Sequence, residues 1–363
     1  MKSFLYTKIQ LLFILLLLNS KSYASDQVIN VYSWSSYISP KTIKNFEKKY
    51  NIKINYDVYD SNEILDAKLL AGNSGYDLVF PSDNPFLKNQ IKLRIYKHLD
   101  KKQLPNFHNL DPLFLDMMSK EDPGNKYAVP WLWGLTGMGV NKKKILEIDP
   151  DAPLDSLELI FNPVYAKKFA KCGINFIDSA TEIMPMALLY NGLDPNTNNP
   201  EDLKKAENTL NQIAPYIKTF NSSTYDDSFV DESICIGISW SGDIVKANEK
   251  LRYKKSKNVI SFILPKEGFM MATDTIAIPK DAPNTQNAYV LINYLMDPRV
   301  AAENSNYTKY YNANKSSYKF LDSDMKANRP DNSVIMKGHR INPYPPKILR
   351  QINRIWTRVI TGN

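Results

Sequence analysis

A chain of 363 residues with 43% hydrophobic content has the length of two ordinary domains and enough apolar residues for full cores. The formal charge is +8, but the lysines are scattered among acids, which reads as a solvated surface rather than a nucleic-acid-binding stripe. Two distant cysteines and three scattered histidines do not make a metal-ligand set.

The N-terminus reads as a secretory leader. Lys2 and Lys8 form a positive start, Leu11 to Leu18 an apolar run, and Ser22-Tyr23-Ala24 a small-residue cleavage site, so cutting is expected after Ala24. The apolar run is about half of the roughly 20 residues that a spanning helix needs. No Cys follows the cleavage site, which argues against a lipid anchor. Removing Lys2, Lys8 and Lys21 with the leader lowers the formal charge from +8 to +5. Export implies an oxidising compartment, where Cys172 and Cys235 are expected to pair. The alternative is two buried thiols.

After the leader, strand and helix signals alternate. Ile29 to Trp34 is a strand, and Ser39-Pro40 opens a helix whose apolar face is Ile43, Phe46 and Tyr50. Ile54, Tyr56 and Val58 alternate as a second strand. Ser61 to Leu70 is a short helix ended by Gly72, and Tyr76 to Phe80 a third strand. A β-α-β-α-β order predicts a parallel sheet covered on both faces, hence an α/β fold. Helical patterns follow at Thr181–Leu193 and Glu201–Ile217. Then come a buried strand at Ser233–Ser239, a helix from Gly242-Asp243 to Tyr253, and strands at Ile260–Leu264 and Met271–Ile278. A helix at Thr285–Met296 precedes an irregular stretch from Asn304, and the last helix spans Pro346–Ile360. Two domains without a linker imply that the chain crosses between them more than once.

In open parallel sheets, ligands bind beyond the carboxyl ends of strands. That rule selects Trp34 to Tyr37, Ser82 to Asn84, and Trp240, Ser241 and Asp243. The segment Gly237 to Gly242 resembles a nucleophile elbow, but Ser241 stands where the second Gly is needed. None of His98, His108 and His339 lies in these loops, and a serine without a base is inert. An enzyme is not expected. Carboxylates beside aromatics instead suit an aliphatic amine, which is protonated at neutral pH and gains cation–π contacts. Trp34, Tyr37, Glu182, Trp240, Asp243, Asp274 and Tyr310 supply these parts. Each also has a plainer reading. Trp34 at a strand end suits a core, and Asp243 and Glu182 suit helix N-termini. Asp274 in an apolar strand is harder to explain without a partner. Trp131 and Trp133 read as packing near a crossover.

The segments WSSYISPKTIKNFEKKYNIKI, YDVYDSNEILDAKLLAG, YDLVFPS, YAVPWLWGLTGMGVNKKKI, SWSGD and NANK resemble the periplasmic polyamine-binding proteins of bacterial ABC importers, nearest the putrescine-binding branch. The resemblance runs in order along nearly the whole mature chain. It implies a type II periplasmic-binding-protein fold, two lobes joined by a hinge with the ligand cleft between them. The implied division is 1–24 leader, 25–136 plus 271–305 first lobe, and 137–270 plus 306–363 second lobe. Trp34, Ser35, Tyr37 and Ser82 match first-lobe pocket positions, and Glu182 a second-lobe carboxylate. Ser222, Trp240 and Asp243 match a hydroxyl, an aromatic wall and an amine-binding acid. Asp274 matches the acid facing the other amine contacts, Tyr310 a second wall, and Cys172 and Cys235 a disulfide. Ser36 departs from a usual acid and Ala272 from a usual aromatic. The loop at Ser82 to Pro85 is one residue longer, and Asp83 is expected to replace part of the lost charge. The resemblance also implies an inner-membrane ABC permease as partner, a periplasmic monomer, and neither cofactor, metal nor nucleic acid. The alternative function on this fold is a polyamine sensor feeding a membrane receptor.

Overall fold

The computed structural model describes residues 27–327, 329–342 and 344–362; the expected leader lies outside the described residues. Strand β1 (Gln27–Trp34) leads to a helix at Pro40–Tyr50, with Pro at its first turn and Thr42 and Phe46 turned into the core. Asn51 closes that helix in the left-handed region, its N–H donating to Glu47 O, and β2 (Ile52–Tyr59) returns parallel to β1. In the helix Asn62–Leu70, Ser61 caps the N-terminus by accepting from the Ile64 N–H. Strand β3 (Leu78–Val79) then pairs with β1, also in parallel. The first unit is therefore built as its sequence pattern requires.

The remaining strands are β4 (Ala128–Val140), β5 (Ile174–Phe176), β6 (Thr219–Phe220), β7 (Ile236–Trp240), β8 (Ser261–Ile263), β9 (Met270–Ala277) and β10 (Tyr311–Asn312). They join one mixed sheet in the order β2-β1-β3-β9-β4-β7-β5-β6, with β8 and β10 also on β4. Its flanks are parallel, but β9 runs antiparallel to β3 and β4, and β7 antiparallel to β4. The parallel expectation thus holds for each flank and stops at the centre, where the crossing strands lie.

Those crossings are β4 and β9. β4 pairs with β9 from Ala128 to Thr136, with an irregularity between Pro130 and Trp133, and with β7 from Thr136 to Val140. On one side, Ile29, Phe46, Leu78, Ile276 and Leu291 form a core; on the other, Val140, Phe161, Phe176, Ile236 and Ile355 form a second. A third cluster joins Phe114 and Trp133 to Tyr311, Leu321 and Ile335. Trp131 and Trp133 are fully packed, as the packing reading requires.

One expectation fails beyond the helix Thr285–Leu295. Asn304 does not begin an irregular stretch; it lies inside a helix, Pro298–Thr308, capped by the Asp297 side chain. Asn304 is buried there, accepting from the Ser39 N–H and donating to Val300 O. A polar residue that reads as a loop is here a tie between helices. The last helix, Pro346–Thr361, buries Ile348, Ile352, Ile355, Trp356 and Val359 against the second core. A disulfide joins Cys172 to Cys235 ahead of the neighbouring strands β5 and β7. No helix among the described residues is long and apolar enough to cross a membrane.

Candidate functional site

A cavity of about 500 Å³ opens between the two lobes, beside the crossing strands. Every expected ligand residue except Asp83 lines it. Trp34, Ser35, Tyr37, Ser82 and Asp274 come from the first side, Glu182, Ser222, Trp240 and Asp243 from the second, and Tyr310 from the segment before β10.

At the first end, β9 presents Asp274 against Ser82, the two forming an isolated antiparallel bridge. Asp274 Oδ1 accepts from the Ser82 hydroxyl at 2.6 Å, and Oδ2 accepts from the Tyr37 hydroxyl. Asn62 Nδ2 donates to Ser82 Oγ at 2.8 Å, which orients that hydroxyl toward the acid. The Asp274 carboxyl is raised to about 7: burial is the largest cause, the Ser82 and Tyr37 donors offset part of it, and the charges of Asp83 and Glu182 add to the rise.

Glu182 enters from the first turn of the helix Ala180–Tyr190. Its Oε2 accepts from Thr136 Oγ1 at 2.5 Å and Trp240 Nε1 at 2.8 Å. Burial raises this carboxyl too, offset in part by the same two donors. At the second end, Asp243 sits in the first turn of the helix Ser241–Tyr253, where the helix dipole favours its charge. Its Oδ2 accepts from the Tyr225 hydroxyl at 2.9 Å, and that hydroxyl accepts from the Trp240 N–H at 2.9 Å. One buried tyrosine therefore fixes both the acid and the aromatic wall.

Tyr310 is held by close approach. A Cβ on Gly134 would stand 2.9 Å from its ring, and one on Gly242 would stand 2.6 Å from it. The glycine of the SWSGD motif is needed here for the ring, not for a nucleophile elbow. Ser239 is fully buried and donates to Gly237 O, and none of the three histidines lines the cavity.

Asp83 is a correction. It is 1% exposed, and its carboxylate pairs with the Arg340 guanidinium, whose Nη1 donates to Met117 O at 2.8 Å. Burial pushes this carboxyl up and Arg340 pulls it back. The turn after Ser82 takes Asp83 inward with Asn84, Pro85 and Phe86, away from the cleft. It does not replace the charge missing at Ser36, which does line the cavity and adopts a left-handed φ of 53°.

The sequence reading missed Asp60, Asn62, Thr136, Asp226, Asp227, Lys246, Lys250 and Tyr307 in the lining. Lys250 pairs with Asp226 at 2.9 Å and Asp227 at 2.6 Å. Lys246 and Lys250 lie three and seven residues after Asp243, one helical face, and that spacing was the available signal. Asp60 and Thr136 carry no comparable pattern. Among the described residues no group of acids, histidines or cysteines has the arrangement of a metal site. Of the six carboxylates in the lining, Asp226 and Asp227 are engaged by Lys250, and the aromatics Trp34, Tyr37, Trp240 and Tyr310 share the cavity with Asp274, Glu182 and Asp243. That set suits an aliphatic chain bearing ammonium groups.

Comparison with known proteins agrees with this chemistry. Residues 41–331 match the family of bacterial extracellular solute-binding proteins. The chain is 41% identical over 343 residues to the putrescine-binding periplasmic protein SpuD of Pseudomonas aeruginosa (strain UCBPP-PA14), covering 93% of each. It is 39% identical over 344 residues to the putrescine-binding periplasmic protein PotF of Escherichia coli (strain K12), again covering 93% of each. Among solved structures, a protein from Listeria monocytogenes assigned to a spermidine/putrescine ABC transporter superposes with a TM-score of 0.83 at 27% identity. That match covers 93% of this chain and 100% of the other. These relatives are binding proteins rather than enzymes. The type II binding-protein fold, the cleft between lobes and the matched sequence together show that this chain belongs to the bacterial extracellular solute-binding proteins.

Proposed function

We propose that this chain captures a polyamine in the periplasm and delivers it to an inner-membrane ABC permease by hinge closure. Putrescine or a similar diamine fits best, with spermidine as the longer candidate. The observation that carries this reading is the placement of carboxylates on both sides of one cavity, with aromatic walls between. An ammonium at each end of an aliphatic chain draws Asp274 from one lobe and Asp243 and Glu182 from the other toward a common ligand, and so favours the closed state. Trp34, Ser35, Tyr37, Ser82 and Ser222 complete the site, and Trp240 and Tyr310 form the walls. On this reading the leader is removed on export and the mature protein acts as a monomer. The lobes divide at 25–136 plus 271–305 and 137–270 plus 306–363. Calorimetric titration of the mature protein, stripped of co-purified ligand, with putrescine, cadaverine, spermidine and agmatine tests it. Saturable one-to-one binding of at least one is expected; binding of none overturns the reading.

A further inference from the structure

The corner formed by Asp243 and Tyr310 already holds an ammonium group, and it belongs to the protein. Lys246 Nζ lies 3.1 Å from Asp243 Oδ1 and 5.6 Å from the centroid of the Tyr310 ring. A carboxylate and an aromatic face on one cation are the two parts of an amine subsite. The pair is spaced as an ordinary helix-surface ion pair would be. It is not on the surface, however: both residues line the cavity, and their side chains are 28% and 12% exposed. A lysine side chain is a primary ammonium on four methylenes, which is the putrescine skeleton with its second amine replaced by the backbone.

We infer that Lys246 is a tethered competitor for the second-lobe amine subsite, so that a polyamine binds there by exchange. This rests on the polyamine reading of the same cleft. Two ammonium groups on one carboxylate repel at contact distance. A ligand that reaches Asp243 must therefore lift Lys246 away, whereas an amine held only at Asp274 and Glu182 leaves it in place. Lys246 thereby lowers the affinity for diamines and sets how much of the Asp243 interaction a ligand keeps. Lys250, one turn on, does not compete in this way, because its ammonium is engaged by Asp226 and Asp227.

Calorimetry of the wild type and Lys246→Met with putrescine and with butylamine tests the inference. Methionine keeps the length of the side chain and removes the charge. Putrescine is expected to bind Lys246→Met about tenfold tighter than wild type, with butylamine changing less than about threefold. A crystal structure of the wild type with putrescine is expected to show Nζ withdrawn from Asp243. Wild-type binding with an unchanged or weaker Lys246→Met overturns the role of Lys246 and leaves the polyamine reading standing. Failure of both proteins to bind any polyamine removes the polyamine reading and this inference with it. Should Lys246→Met not fold, Lys246→Gln is measured against the same two outcomes.

Discussion

Asp274 shows how one side chain couples binding to pH. Its carboxyl stands at about 7, raised by burial first and by neighbouring acids second. An ammonium needs the ionised form, so affinity for a diamine should fall about tenfold per pH unit below 7 and level off above it. Asp274→Asn should abolish that step and weaken putrescine binding by about a hundredfold or more. The same substitution should stabilise the unliganded protein. Between about pH 4 and 7 the native state holds a proton that the unfolded chain has released, so stability declines as pH rises through this window. Asparagine removes that penalty, giving up to about 4 kcal/mol at pH 8, at about 1.4 kcal/mol per unit, and nothing at pH 4. Urea unfolding at the two pH values reads this, and equal destabilisation at both would refute it. Asp274 was legible in the sequence because an acid in an apolar strand demands an explanation. Asp83 was not, because its partner, Arg340, lies 257 residues away.

At the scale of elements, the Tyr310 wall depends on two backbone segments without side chains, Gly134 on β4 and Gly242 at the start of the helix Ser241–Tyr253. Alanine at 242 improves helix propensity by up to about 1 kcal/mol yet drives a methyl group into the ring. Gly242→Ala should therefore weaken putrescine binding by about tenfold while leaving thermal stability nearly unchanged. Parallel loss of both would mean that the glycine serves the fold instead. The pattern of apolar residues revealed the first flank of the sheet, β7 to β9, and the helices bearing Glu182 and Asp243, but it missed β4, β5 and β6. It could not reveal that β9 inserts between β3 and β4, because strand direction at the centre follows from where the chain crosses, not from local alternation. Nor could it find the helix through Asn304, whose amide is used for contacts with Ser39 and Val300 rather than for a turn.

For the whole molecule, β9 and β4 lie between the two flanks of the sheet, and one covalent bond reinforces the second flank. Cys172 and Cys235 are 63 residues apart, and closing such a loop contributes about 2–4 kcal/mol by restricting the unfolded chain. The double substitution Cys172→Ser with Cys235→Ser should lose about that much stability in urea unfolding. Putrescine affinity should be retained, since neither cysteine lines the cavity; an unchanged unfolding midpoint would count against a stabilising role. The sequence foretold this bond from compartment and from the family resemblance. It foretold the cleft by resemblance and by the rule for strand ends, and it missed the lysines that share the cleft with the acids. The placement of the indoles has a practical consequence. Of the five tryptophans, Trp131 and Trp133 are sealed in packing and Trp356 is tied to Asp178, while Trp34 and Trp240 face the cavity. An arriving cation meets only those two, so intrinsic fluorescence should change on binding without any label, which would make the protein its own optical sensor.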